Sequence, residues 1–545
     1  MIDCLRHLTR RSIPFLFLFA GVVCLQAWSG AFVAELSGAD EPAHFITGLL
    51  IRDYVAAGLP SDPLAFATNY YTHYPKVAFG IWPPLFHVVE AVWMLVFPVS
   101  RVSILMLMAL LTSLLAMSLY VVARRSWGPF AGMGVALLFV MLPTTQQGAN
   151  SVLADTQVAL LGFWATLCWA RYMDSARWQD ATAFGVLGSL CLLTKGNGVA
   201  LFAVPLLSAL IAGRWRLVTS RTFWLGPSIM VLVGGPWQLY SWRMLQTTVT
   251  FDPSMWKHAR LYAQMIAEDT GVGVLACAVA GLAAIMARRF NGRPIQNIAA
   301  TMAALPAAVL LFHIAAPLEP SSRYLLSALP AILWLSAYGI AWASRRFDLV
   351  PGPGSAGRGL ALASGAAAIF VATAFTISWK AHYGFTEIAE YLLQRPDCGR
   401  CVVLASSRGN GGGMLIVEIA MSEARPGHIV LRAEKMLSRS TWHGARYELL
   451  YADAGAVEDY LESVPVDFVV IDESVGDDLR HHELLTEAVT RGGDRWHLAN
   501  AIRPEASGGQ PILVYGATRQ KPAGEDVKVA IDMRYTLGRA IRKVQ

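Results

Sequence analysis

Charge is what this chain has least of. Only 15% of its 545 residues are Asp, Glu, Lys or Arg, whereas a soluble domain carries about a quarter. That scarcity excludes an ordinary water-soluble globule. The net charge of +6 is modest and lies mostly on arginines in short loops, so it speaks to topology and gives no sign of nucleic-acid binding. Cysteine is also sparse, with seven residues. Cys4, Cys24, Cys168, Cys191 and Cys277 fall in or near apolar runs, where a thiol ordinarily packs. Cys398 and Cys401 form CGRC in the polar C-terminal part. If that part lies outside the cytoplasm, the pair reads as a disulfide. A redox motif and half a zinc site are the alternatives, and a second CxxC nearby is lacking. The chain also has no evident internal repeat, and its glycine-rich stretch SSRGNGGG (406–413) does not match GxGxxG or P-loop spacing.

Apolar sequence is abundant, with 55% of residues hydrophobic. About ten runs reach the roughly 17–25 residues that cross a bilayer as a helix. The N-terminus, MIDCLRHLTRRSIPFLFLFAGVVCL, is basic and then apolar to about Ala34. That is long for the core of a cleaved signal peptide and predicts a retained anchor.

Arginine clusters punctuate the apolar runs: Arg6, Arg10 and Arg11; Arg124 and Arg125; Arg171 and Arg177; Arg214, Arg216 and Arg221; Arg288, Arg289 and Arg293; Arg345, Arg346 and Arg358. Short basic loops stay on the cytoplasmic side. Keeping all of them inside allows only one crossing between Ala34 and Arg124. The stretch 81–98 holds Pro83, Pro84, His87 and Glu90, a poor set for lipid. It is read as lying along the outer interface, held by Trp82 and Trp93. The predicted spans are 13–34, 102–123, 129–144, 153–170, 180–194, 197–213, 223–241, 271–287, 296–316, 323–344 and 360–379. These eleven spans leave residues 380–545 outside.

Strands alternate with helices in the C-terminal part, which predicts a small α/β domain. Strands are expected at 402–406, 428–433, 467–474 and 511–517, and helices at 412–423, 456–463 and 482–490. SSRGNGGG (406–413) has the position of a phosphate-cradling loop but reads as a structural turn. The basic tail, 519–545, is expected to be loosely ordered.

The outer loops collect the polar residues. Asp40 and Glu41, in SGADEPAHFI, follow the first span directly. They cap the next helix, act as a general base, or hold a cation. Asp155 opens an inward helix, either as a residue favoured by the helix dipole or as a second acid of the site. Lys195, in LLTKGNGV, either snorkels or binds phosphate with help from the next helix N-terminus. Arg323, in EPSSRYLLSALP, lies outside against the bias of the other arginines and suits a phosphate. His44 follows Asp40 by one helical turn. Trp82, Trp237 and the tyrosines of NYYTHY, Tyr71 among them, are sugar-stacking candidates or ordinary interfacial aromatics. His73 and His87 are weaker candidates. Carboxylates and phosphate-binding cations within reach of lipid point to a substrate with a lipid phosphate, since nucleotide sugars are absent outside the inner membrane.

DEPAHF (40–45) resembles the DE-x-x-HF stretch of protein O-mannosyltransferases. WPPLF (82–86) resembles their HPPL element and the KPPL of aminoarabinose transferases. LADTQVALL (153–161), LLTKGNGV (192–199) and RYLLSALPAI (323–332) resemble the later outer elements, in family order. The chain over about 13–345 therefore resembles the GT-C glycosyltransferases, of the bacterial family-39 or family-83 kind. The resemblance implies a polytopic helical membrane protein with its active site on the periplasmic side of the bacterial inner membrane. It also implies interfacial helices in the first outer loop and inverting transfer from a polyprenyl-phosphate sugar to a periplasmic acceptor. By position, Asp40 takes the catalytic role beside Glu41, Asp155 is the second acid, and Lys195 and Arg323 meet phosphate. Trp82 departs from the family's His or Lys. A divalent cation held by the paired acids stays open. The expected organisation is a transmembrane catalytic domain (1–380), a periplasmic α/β domain (381–518) and a basic tail (519–545). A lipid-phosphate flippase and a non-catalytic scaffold are the competing readings. The first should show charge at mid-membrane depth and inverted repeats, and the second leaves the outer carboxylates without a role.

Overall fold

The computed structural model describes the chain except residues 1, 79, 81, 246–253, 317–318, 347–353, 396–399, 408–409, 425, 440–446, 475–478, 519–527, 534–538 and 545. At 2–11, 244–245, 346, 354–358, 507, 528–533 and 539–544 only the backbone is described. Every span predicted from the sequence falls on helical structure, from Ile2–Trp28 to Gly354–Thr373. Arg101–Trp127, Met255–Phe290 and Asn297–Ala315 are each long and apolar enough by themselves to cross a membrane. Pro129–Met141 and Pro143–Asn150 qualify only as a pair, bent by 66°. Pro143 opens the second helix of that pair, where it needs no amide hydrogen.

The helices present large apolar side chains outward as well as inward. Phe130, Leu232 and Phe290 are among many that face away from the protein. So broad an apolar surface marks a lipid boundary.

The first loop folds as three short helices, Glu41–Ala56, Pro63–His73 and Leu85–Val96. The third has only 12 residues, well short of the roughly 20 a crossing needs. Val88, Val92 and Val96 form its outward stripe, while Phe86, His87, Glu90 and Met94 turn inward. That is the pattern of a helix lying in an interface.

The C-terminal part forms a five-stranded sheet in the order Ile429–Arg432, Val402–Ser406, Phe468–Asp472, Ile512–Ala517, Trp496–Ile502. The first three strands are parallel and the last two antiparallel. Four of these strands, and the helices Gly411–Ser422, Ala454–Ser463 and Arg480–Arg491, lie where the sequence predicts them. Trp496–Ile502 was not anticipated. The tail, expected to be loosely ordered, holds two strands, Lys528–Met533 and Arg539–Val544, paired antiparallel. Cys401 is disulfide-bonded, and Cys398 lies outside the described residues.

Candidate active site

Glu35, just past the first helix, is fully buried. Its carboxylate accepts the backbone N–H groups of Tyr383 and Phe385, each at 2.8 Å. Arg101 reaches Glu418 at 2.6 Å and the Thr386 hydroxyl at 3.1 Å. Tyr74 donates to Glu423. These contacts seat helix Gly411–Ser422 of the C-terminal part on helix Glu41–Ala56, directly over the start of the acidic motif.

Asp40 sits at the N-cap of Glu41–Ala56. Its side chain makes no cap hydrogen bond and instead pairs with Arg323 at 2.6 Å. The one-turn spacing to His44 is realised as a backbone bond from His44 N–H to Asp40 C=O at 2.9 Å. Glu41 points elsewhere. Lys380 donates to it at 2.7 Å and Val152 N–H at 3.3 Å, so it ties the first loop to the second and to the end of the last apolar helix.

Asp155 opens helix Asp155–Ser175 and receives both of its close contacts from Lys195 Nζ, at 2.8 Å to each oxygen. In sequence Lys195 has no acidic neighbour; the fold supplies one 40 positions away. The two ion pairs share a wall. Lys195 Nζ lies 4.9 Å from the Tyr324 ring centroid and Arg323 Cζ 5.3 Å. His313 stacks on the same ring at 5.2 Å and 7°. Asp155 and Asp40 both act electrostatically on Arg323. Asp40, Asp155, Lys195 and Arg323 therefore form one cluster, built from the ends of four separate helical segments.

His44 completes its edge. It stacks on Trp82 at 4.1 Å, meets Phe86 edge-on at 5.3 Å and lies 5.1 Å from His87. Burial first, then the charges of His87, Lys195 and Arg323, drive its pKa well below the ordinary imidazole value. Its Nδ1 is buried with no hydrogen-bond partner among the described residues. Tyr71 stands apart from this group. It is buried, with its hydroxyl 3.4 Å from Lys435 Nζ.

Each acid named as a metal candidate has a cation within ion-pair distance. Among the described residues, the cluster whose ligand atoms lie within 4.8 Å of one another is instead Glu35, His382 and Glu387. Both oxygens of Glu35 there already accept backbone hydrogens. Sequence reasoning passed over Glu35, Lys380, Tyr324 and His313. Tyr324 follows Arg323 directly and was within reach. The role of Lys380 depends on a contact 339 positions away.

Fold and site together define a helical membrane protein with a lined pair of acid–cation contacts between helix ends on one side of it. A family model described as dolichyl-phosphate-mannose-protein mannosyltransferase matches residues 82–240. A search of curated proteins by sequence finds no match. Among solved structures, ArnT from Cupriavidus metallidurans in the apo state is similar, with a TM-score of 0.58 at 14% identity, over 92% of this chain and 98% of that one. The same enzyme bound to undecaprenyl phosphate gives 0.55 at 14% identity, over 93% and 98%. The oligosaccharyltransferase AglB from Archaeoglobus fulgidus, in complex with an inhibitory peptide and a dolichol-phosphate, gives 0.53 at 11% identity, over 97% and 76%. The chain shares the fold of ArnT and AglB.

Proposed function

We propose that the protein is an inverting glycosyltransferase. It takes a sugar from a polyprenyl-phosphate carrier and passes it to a periplasmic acceptor at the outer face of the bacterial inner membrane. The observation that carries this reading is the Asp40–Arg323 and Asp155–Lys195 cluster around Tyr324. It gathers two carboxylates and two cations where a lipid headgroup can reach them. The undecaprenyl phosphate and dolichol-phosphate of the similar structures support the same class of donor. The eleven-span topology, with the C-terminal part outside, belongs to this reading and is tested by labelling a cysteine placed at residue 40 from either side.

In the transfer, an acceptor hydroxyl attacks the anomeric carbon on the face opposite the phosphate. Asp40 takes the hydroxyl proton. The bond from sugar to phosphate breaks, and its electron pair stays on the phosphate, an already stable anion. A fixed cation serves such a leaving group better than a proton donor does. Arg323 and Lys195 face the carboxylates until the donor arrives, and its phosphate then competes for both. Glu41 holds the loop. His44 lines the sugar side with Trp82, the residue that stands where the resembling families carry a His or Lys before the two prolines.

Purified protein incubated with labelled polyprenyl-phosphate sugars should release carrier only when acceptor is present. A flippase or a scaffold releases none. Asp40→Asn should lose transfer by on the order of 10²–10⁴-fold, the usual worth of a general base, while inserting normally. Near-normal turnover in that variant refutes the base assignment.

A further inference from the structure

Helix Gly411–Ser422 begins with three glycines, and Asn410 at its N-cap makes no side-chain cap hydrogen bond. The first-turn N–H groups of a helix have no partner within the helix, and together they favour an anion. Twelve residues give this helix a real N-terminus. The missing side chains leave room for others. A Cβ on Gly412 would lie 3.2 Å from Arg432 Cγ, and one on Gly413 would lie 3.1 Å from Lys76 Cε.

Lys76 is the second observation. It is only 8% exposed, yet its side chain makes no hydrogen bond or ion pair among the described residues. Its cationic neighbours are both engaged: Arg432 with Glu434 at 2.7 Å and Lys435 with the Tyr71 hydroxyl. A buried ammonium with no carboxylate in direct contact is costly. Burial pushes its pKa well below the ordinary lysine value, with Arg432 and Lys435 adding to the fall and Glu434 and Asp40 opposing it. A bound anion would reverse that cost.

We propose a second oxyanion pocket here, formed by the Gly411–Gly413 turn, Lys76 and Arg432, which takes a phosphate group of the substrates beside the transfer centre. It adjoins that centre directly, because Pro42 Cβ lies 3.3 Å from the Gly413 Cβ position. The phosphate comes either from the acceptor or from the carrier lipid. The chemistry of the pocket is the same for both. Its role in transfer rests on the reading above; its binding does not.

The test is equilibrium binding of inorganic phosphate to the full-length protein in detergent, comparing wild type with Lys76→Met and Gly413→Ala. Losing a charge-assisted contact weakens binding by at least about tenfold, and both variants should show this. Lys76→Met should also match or exceed wild type in thermal stability. Lys195→Ala should keep the Lys76-dependent component. If saturating undecaprenyl phosphate leaves that component intact, the pocket serves the acceptor; if it abolishes the component, the pocket takes the carrier phosphate. Equal binding in wild type and Lys76→Met, no binding in wild type, or loss of fold in both variants overturns the proposal. Lys76-dependent binding in a protein that releases no carrier would leave the pocket standing and refute the transferase reading.

Discussion

At the residue scale, one arginine, Arg323, pairs with Asp40 and lies in the field of Asp155. Asp40 and Arg323 were each legible as outer polar residues, but their pairing was not, since 283 positions separate them. The Asp155–Lys195 contact was hidden in the same way, and it changes what a substitution does. Lys195→Ala removes the counter-charge of an acid only 4% exposed. Breaking a buried pair in this manner costs roughly 3–5 kcal/mol. The double variant Lys195→Ala/Asp155→Asn should recover most of that thermal stability while staying as poor as the single variant in donor saturation. A double variant no more stable than the single one would show that the pair carries little of the local structure.

Between elements, glycine lets two long helices meet at backbone distance. Helices Met255–Phe290 and Leu329–Arg346 pack together at Gly281 and Gly339. A Cβ on Gly339 would lie 2.0 Å from Cys277 C=O, and one on Gly281 2.2 Å from Leu335 C=O. Small residues let membrane helices meet at backbone distance. Gly339→Ala should therefore lower the melting temperature clearly, by an amount matching about 1–3 kcal/mol of overpacking. Gly365→Ala, with open space around it, should leave melting unchanged in the same assay. Elements with strong periodicity or a bounding turn were readable in sequence. The edge strand Trp496–Ile502 was not. Its Leu498 faces solvent and most of the strand is open on one side, so WHLANAI lacks the buried run that marks a central strand.

At the scale of the whole molecule, the C-terminal part is fastened to the membrane part by a few polar contacts. Glu35 is the hub, since it caps the chain where the last apolar helix gives way to the sheet. Glu35→Ala strands two buried backbone donors at about 1–3 kcal/mol each, and protease should then cut faster near 374–384. Unchanged cleavage would mean that Arg101–Glu418 alone holds the docking. His382 adds a pH dependence. Burial lowers its pKa, but Glu387 and Glu35 outweigh that and leave it raised. A raised pKa stabilises the docked form below the ordinary imidazole value, and the contribution is lost as pH climbs through the raised one. Protection of the same segment should fall across that window in the wild type and stay flat in His382→Gln.

The amino-acid sequence by itself determined that this protein lives in a membrane, roughly where its apolar helices fall, and which polar residues lie in the loops between them. Hydropathy and arginine placement act locally, and a bilayer enforces them. The tertiary structure alone decided which acid meets which cation, that Glu41 serves Lys380, and that a glycine turn from the far end of the chain closes over Lys76. Those are contacts across hundreds of positions, set by packing, and no local pattern encodes them.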